Sequence, residues 1–252
     1  MNSQLYNHIQ SEEACAQIHG WDFSHIEGRY EEGNDLPWDY KSEILAHLTP
    51  GMKLLDIDTG GGEFLLSLCH PCKNTFATEG YKPNAALCEK TLSPLGIHFK
   101  EGNAGKIPFE DSAFDMVINR HGDFDAREIH RVLKRGGLFI TQQVGAYNDR
   151  ELVSLFYGED APVPFPEQTL EKAKAKFENA GFAVKDAKEH FSSIRFFEIG
   201  ALVWFARIIE WEFPDFSVQR FLPQIENAQR RIQQNGSVSG RTHRFLLICQ
   251  KL

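Results

Sequence analysis

Asp56, Asp58, Thr59 and the glycines Gly60, Gly61 and Gly62 stand in one stretch, Lys53–Glu63 (KLLDIDTGGGE), around and after an apolar run of Leu54, Leu55 and Ile57. Glycine permits a sharp backbone turn there and lets a ligand approach without meeting a side chain. A helical pattern begins at Glu63 (Phe64, Leu65, Leu66, Leu68), and its first N–H groups are donors for a polar or negative group. Nineteen residues beyond Gly60, Glu79 ends a second apolar stretch, where a carboxylate suits both hydroxyls of a ribose. Asn119 and His121 follow a later one and can face a reacting group. For His121 three roles are open: general base, ligand contact, or plain structure.

Two familiar ligand motifs fail at this turn. A dinucleotide site wants G-x-G-x-x-G, but counting from Gly60 puts Leu65 at the third glycine. A phosphate-cradling loop wants G-x-x-x-x-G-K-S/T. The one Gly-Lys pair, Gly105-Lys106, has Lys100 at the earlier glycine position and Ile107 where the hydroxyl belongs.

The remaining pattern, a strand, an acid, then G-x-G-x-G, resembles motif I of the class I S-adenosylmethionine-dependent methyltransferases. Asp56 matches the acid, Gly60 and Gly62 the second and third glycines, and Asp58 replaces the first. Asp58 either caps the turn, as aspartate does well, or meets the ligand's ammonium group. The segment EGNAGKIPFEDSAFDMVINRHG resembles a second family pattern at Gly102, Ala104, Pro108, Phe109, Asp111, Phe114 and Asp115. Asn103 stands where the family often has an aspartate that accepts from the adenine amino group, and an amide oxygen can still accept that bond. EIHRVLKRGGLFI is similar to the family's next segment, so the resemblance runs from about Leu54 to Gln143.

That resemblance implies methyl transfer from S-adenosylmethionine, with S-adenosylhomocysteine as product. Proximity and alignment supply much of the rate of such a displacement, and no metal or covalent intermediate is required. It also implies a cofactor set: Asp56, Asp58, Thr59, Gly60, Gly62, Glu79, Gly80 and Tyr81 (along the adenine), Asn103, Ala104 and Asn119, with Tyr40 covering it. His121 is the catalytic candidate. Trp21, Phe23 and Arg29 are candidates for a lid, and with Trp204 for contacts to the methyl acceptor.

Positioning these residues takes strands alternating with helices. A helix falls within Asp35–Gly51, capped by Asp35 and stopped by Pro50-Gly51. Strands are expected at Leu54–Ile57, Thr75–Thr78, Ile97–Lys100, Phe114–Ile118 and Leu138–Gln142, with helices after Glu63, at Asn84–Leu92 and at Ala126–Leu133. Lys134-Arg135-Gly136-Gly137 reads as a helix end. Beyond Ala146–Phe165, part helical and part Pro-rich, come a helix at Glu167–Ala180, a strand at Ala183–Phe191, an apolar helix at Ile194–Trp211, a helix at Ser217–Gln234 and a strand at Arg241–Gln250. The apolar helix either packs as core or roofs an apolar cavity.

The expected architecture is α/β. It is a doubly wound, Rossmann-like sheet of mostly parallel strands, seven in all, with an antiparallel final strand and helices on both faces. One domain spans 1–252, with an N-terminal helical cap over 1–50, a cofactor-binding core over 51–143, and closing helices and strands over 144–252.

Composition bounds the function. The 252 residues carry a net charge of −8, which argues against a nucleic-acid partner. Residues 217–252 depart from this, with six Lys/Arg against one Glu, while the rest has 21 basic against 34 acidic residues. That tail supports an RNA-directed alternative, to be weighed against a small-molecule acceptor. A non-catalytic protein that only binds the cofactor is the third reading, on the departures at Asp58 and Asn103. No apolar run reaches the roughly 18 residues of a membrane span, and Met1–Gln10 lacks a signal-peptide pattern. Five cysteines suit a reducing cytoplasm. Cys69 and Cys72 form a lone C-x-x-C, which reads as a helix end before a turn more readily than as a metal site.

Overall fold

Caps and turn residues set the element boundaries along residues 3–17 and 23–252, the part of the chain that the computed structural model describes. In chain order the elements are α1 (Ser3–Cys15), β1 (Tyr30–Glu32), α2 (Tyr40–Leu45), β2 (Leu54–Ile57), α3 (Glu63–Ser67), β3 (Thr75–Glu79), α4 (Lys82–Thr91), β4 (His98–Glu101) and β5 (Phe114–Arg120). There follow α5 (Ala126–Val132), β6 (Leu133–Val144), α6 (Arg150–Tyr157), α7 (Leu170–Asn179), β7 (Phe182–Phe196), α8 (Ile199–Ile208), α9 (Leu222–Asn235) and β8 (Val238–Lys251). The side chains of Asp39, Asp125, Thr169 and Glu198 accept backbone N–H groups in the first turns of α2, α5, α7 and α8. Each satisfies donors that a helix start leaves unpaired.

The strands run in the order β1-β7-β8-β6-β5-β2-β3-β4. From β6 to β4 the neighbours are parallel, β8 lies antiparallel to β6, and β1 lies antiparallel to β7. From β2 the chain builds outward to β3 and β4 on one side, and β5 and β6 occupy the other. The crevice at this reversal, outside the carboxyl ends of the strands, is where such sheets bind ligands. The doubly wound architecture and the antiparallel final strand are as the sequence implies.

Eight strands replace the expected seven, because polar Tyr30–Glu32 is extended by pairing with the end of β7. Boundaries also differ, and the helix expected within Asp35–Gly51 is capped by Asp39 rather than Asp35. Lys134–Gly137 is the first part of β6 rather than a helix end, and the register with β5 shifts between Phe114 and Met116 to absorb the extra residues. Ile194–Phe196 belongs to β7, so the apolar helix begins only at Ile199.

Contacts divide the chain into two compact units. One, the sheet unit, comprises Pro37–Gly145, Glu167–His190 and Arg244–Leu252; the other, the helical unit, comprises Met1–Leu36, Ala146–Pro166 and Phe191–His243. In the sheet unit all four residues of β2 are buried, as a parallel strand covered on both faces requires. Phe139 stacks on Phe177 at 4.8 Å and Phe114 meets the edge of Phe76 at 5.1 Å. Burying each such ring contributes about 1.5–3 kcal/mol. In the helical unit α8 is buried on every side except Arg207, so this stretch is core. Among the described residues no helix is long and apolar enough to cross a membrane.

Candidate functional site

The glycine turn leaves β2 through left-handed backbone at Asp58 (φ +54°), Gly60 (φ +66°) and Gly62 (φ +86°). A side chain at Gly60 would meet nothing within 4 Å, so this backbone stands open, whereas one at Gly62 would press on Leu92 at 2.8 Å. Glu79, ending β3, holds the turn in place. Its Oε2 accepts the Gly60 N–H at 2.7 Å and its Oε1 the Tyr81 N–H at 2.8 Å. Thr59 ties the turn to β3 as well, its N–H donating to the Thr78 carbonyl at 3.0 Å and its hydroxyl to Asp56 Oδ2 at 2.6 Å. A carboxylate offers about four lone-pair positions, so Glu79 retains capacity for a diol.

Acids dominate the field of this turn. Burial pushes the Asp56 carboxyl up to about 7; the Thr59 hydroxyl and Arg120 oppose the rise, and Asp58 and Glu79 add to it. Burial also raises Asp58 to about 6, with Glu79 and Asp123 adding to it. The Arg120 guanidinium lies over the Phe64 ring at 4.4 Å and offsets only part of this charge. Like charges held this close favour a cation and repel a pyrophosphate.

The other expected cofactor residues are placed as follows. Tyr40 is buried, stacked on Phe64 at 5.2 Å, and its hydroxyl reaches the Asn119 carbonyl (2.9 Å) and the Ile140 carbonyl (3.1 Å). It fastens β5 to β6 at their ends, with burial raising its pKa well above that of an ordinary phenol. Asn119 is fully buried: its amide donates to the Ile57 carbonyl at 3.0 Å and its Oδ1 accepts from Gln143. Both ends of the amide are engaged inside the sheet. Asn103 Oδ1 accepts the N–H groups of Gly105 (3.1 Å) and Lys106 (3.2 Å). That oxygen braces its own turn. Ala104 is buried, and Gly80 and Tyr81 are exposed, with the ring of Tyr81 open to solvent.

His121 also takes left-handed backbone (φ +58°), and its N–H donates to the Gln142 carbonyl at 2.9 Å. Although the residue keeps contact with solvent, surrounding protein, then Arg244 and Arg120, hold its imidazole pKa far below the ordinary value. A lowered pKa makes the ring a poorer proton acceptor near neutral pH.

The lid candidates lie in the helical unit, except Trp21, which falls outside the described residues. Trp204 is buried, meets Phe23 edge-on at 6.1 Å, and is stacked by His25 at 5.2 Å. Arg29 donates to Glu12 at 2.6 Å and to Glu198 at 3.1 Å, while His25 reaches the other Glu12 oxygen at 2.8 Å. Burial alone raises the Glu12 pKa, but the hydrogen bonds from Arg29 and His25 outweigh it and leave the carboxyl below its usual range. Glu12, Cys15 and His25, and likewise His8, Glu12 and Glu198, are close enough to hold a metal ion, but the guanidinium against Glu12 opposes one. Sequence reasoning missed this cluster, because its members are spread from residue 8 to residue 198 and lack any motif.

Comparison with known proteins finds similar chains. Residues 55–141 match the methyltransferase domain family. The chain is 32% identical over 136 residues to the demethylmenaquinone methyltransferase of Staphylococcus aureus, covering 47% of this chain and 56% of that protein. It is 32% identical over 102 residues to the phthiotriol/phenolphthiotriol dimycocerosates methyltransferase of Mycobacterium tuberculosis, covering 35% of this chain and 36% of that one. The chain thus spans little more than half the length of the curated relatives it matches, or less. A crystal structure of a candidate methyltransferase from Bacillus halodurans shares the fold, with TM-score 0.58, 16% identity, and coverage of 84% of this chain and 98% of that one.

Proposed function

We propose that this chain, a member of the class I S-adenosylmethionine-dependent methyltransferases, moves a methyl group from that cofactor to a small organic acceptor. The observation that carries the reading is an open glycine turn ringed by acids, with Asp56 and Asp58 raised to about 7 and 6. Such a turn suits a sulfonium with an ammonium group, and it suits a dinucleotide poorly. When bound, S-adenosylmethionine supplies an electrophilic methyl carbon whose bond to sulfur breaks as the acceptor's lone pair arrives.

The chain's own residues orient that exchange. Glu79 keeps Gly60 in place and offers its remaining lone pairs to the ribose hydroxyls. Asp58 takes the ammonium group, which relieves the repulsion that raises its pKa. Tyr40 pins the strand ends that carry Asn119 and Ile140.

A small acceptor is supported by relatives whose names denote quinone and lipid methylation. An RNA acceptor is disfavoured by its own best evidence. In the basic tail Arg241 pairs with Glu151 at 2.6 Å, Arg220 lies 3.8 Å from Asp215, and Lys251 donates to the carbonyls of His130 and Leu133. Five free thiols support work in the reducing cytoplasm.

Titration calorimetry with S-adenosylhomocysteine tests the proposal. Wild type should bind at one site, and Glu79→Ala should weaken binding by about 1–3 kcal/mol through lost charge-assisted hydrogen bonds. Equal affinity in the two proteins removes Glu79 from this role.

A further inference from the structure

Two side chains in series fix where the proton of His121 sits. The Trp38 indole N–H donates to Gln142 Oε1 at 2.8 Å, and Gln142 Nε2 lies 3.2 Å from His121 Nε2. An indole nitrogen can only donate, so the oxygen of Gln142 must face Trp38 and its NH2 must face the histidine. That NH2 can only donate too, so His121 Nε2 accepts and carries no proton. The ring proton therefore resides on Nδ1, which has no hydrogen-bond partner among the described residues. Trp38 and Gln142 are both buried, which keeps this relay from turning over. Protonating Nε2 as well would break it, and Arg120 on β5 and Arg244 on β8 oppose a further positive charge.

The position of this donor gives it a use. Gly122, the next residue, packs so tightly on Asp58 that a side chain there would stand 2.8 Å from Asp58 Cβ. An acid and a fixed N–H donor on neighbouring backbone match the two charges of an amino-acid head group. We propose that His121 is a neutral Nδ1–H donor, set in that tautomer by Gln142 and Trp38, and that it receives the cofactor's carboxylate while Asp58 receives its ammonium. The second half rests on the methyltransferase reading, and the first half does not.

Two measurements on the whole chain test it. In 15N-detected NMR of the imidazole rings, wild-type His121 should show a protonated Nδ1 and a bare Nε2 from about pH 5 to 8. In Gln142→Glu the new carboxylate should draw a proton onto Nε2 and bring a titration into that range. A wild-type ring protonated at Nε2, or one that titrates near pH 6.5, overturns the tautomer assignment. Calorimetry then compares S-adenosylhomocysteine with its analogue lacking the carboxylate. His121→Ala should bind the first about five- to tenfold more weakly and the second as wild type does. Equal weakening of both, or of neither, overturns the carboxylate contact. Should wild type bind neither compound, the cofactor reading fails while the NMR result still decides the tautomer.

Discussion

Two acid clusters in this molecule have opposite electrostatic fates. Glu12 is buried beside Arg29 and His25, and its pKa falls; Asp56 and Asp58 are buried or half-buried beside further acids, and theirs rise to about 7 and 6. The first cluster supplies its own cation and is complete. The second lacks enough positive charge, a stability cost that a bound sulfonium and ammonium would remove. Burial is common to both, so the difference lies in the partner. A self-satisfied cluster supports structure, and an unsatisfied one marks the place a ligand completes.

The contrast can be broken most severely at Arg29. Arg29→Met leaves Glu12 buried without its main partner and should destabilise the protein by about 3 kcal/mol in urea unfolding. A loss under half of that would mean Glu12 does not depend on the pair.

The pH dependences should also oppose one another. Asp56 and Asp58 have folded pKa values above the ordinary value near 4, so their contribution is present below that value and lost as pH rises through about 6 to 7. Glu12 is lowered, so its contribution is present above the ordinary value and lost as pH falls through its folded pKa. Melting temperature without ligand should therefore decline between about pH 4 and 7, by the equivalent of several kcal/mol. Asp58→Asn should flatten that decline and Glu12→Gln should flatten only the acid limb; a swap of the two effects would contradict the assignment.

A smaller effect is expected at pH 7, where Asp58→Asn should change stability by no more than about 1 kcal/mol while weakening cofactor binding. The smallest is Arg241→Ala: its pair with Glu151 is 61% exposed on the arginine side, and it should shift unfolding by less than about 0.5 kcal/mol.

The sheet unit was legible because its strands are short apolar runs and its site is continuous in sequence around Asp56–Gly62 and Glu79. The helical unit was not. Helix α1 buries only Ile9 and Glu12 and so shows no clear apolar face, and β1 is Tyr-Glu-Glu, extended only by its pairing. Gly136-Gly137 looked like a helix end because glycine favours that place, yet pairing with β5 drew it into a strand. The roles of Asn119, Asn103 and His121 depended on hydrogen-bond partners. Trp38 and Gln142 are 104 residues apart, a distance no local pattern reveals.

On the proposed function, the acids at the glycine turn await a cationic cofactor. Titrating S-adenosylmethionine near pH 6.5 in two buffers of different ionisation enthalpy measures the protons released on binding. One site is expected, with net proton release as Asp56 and Asp58 ionise and a smaller release in Asp58→Asn. Binding with no proton release, or no binding while a nicotinamide dinucleotide occupies the same turn, would contradict it.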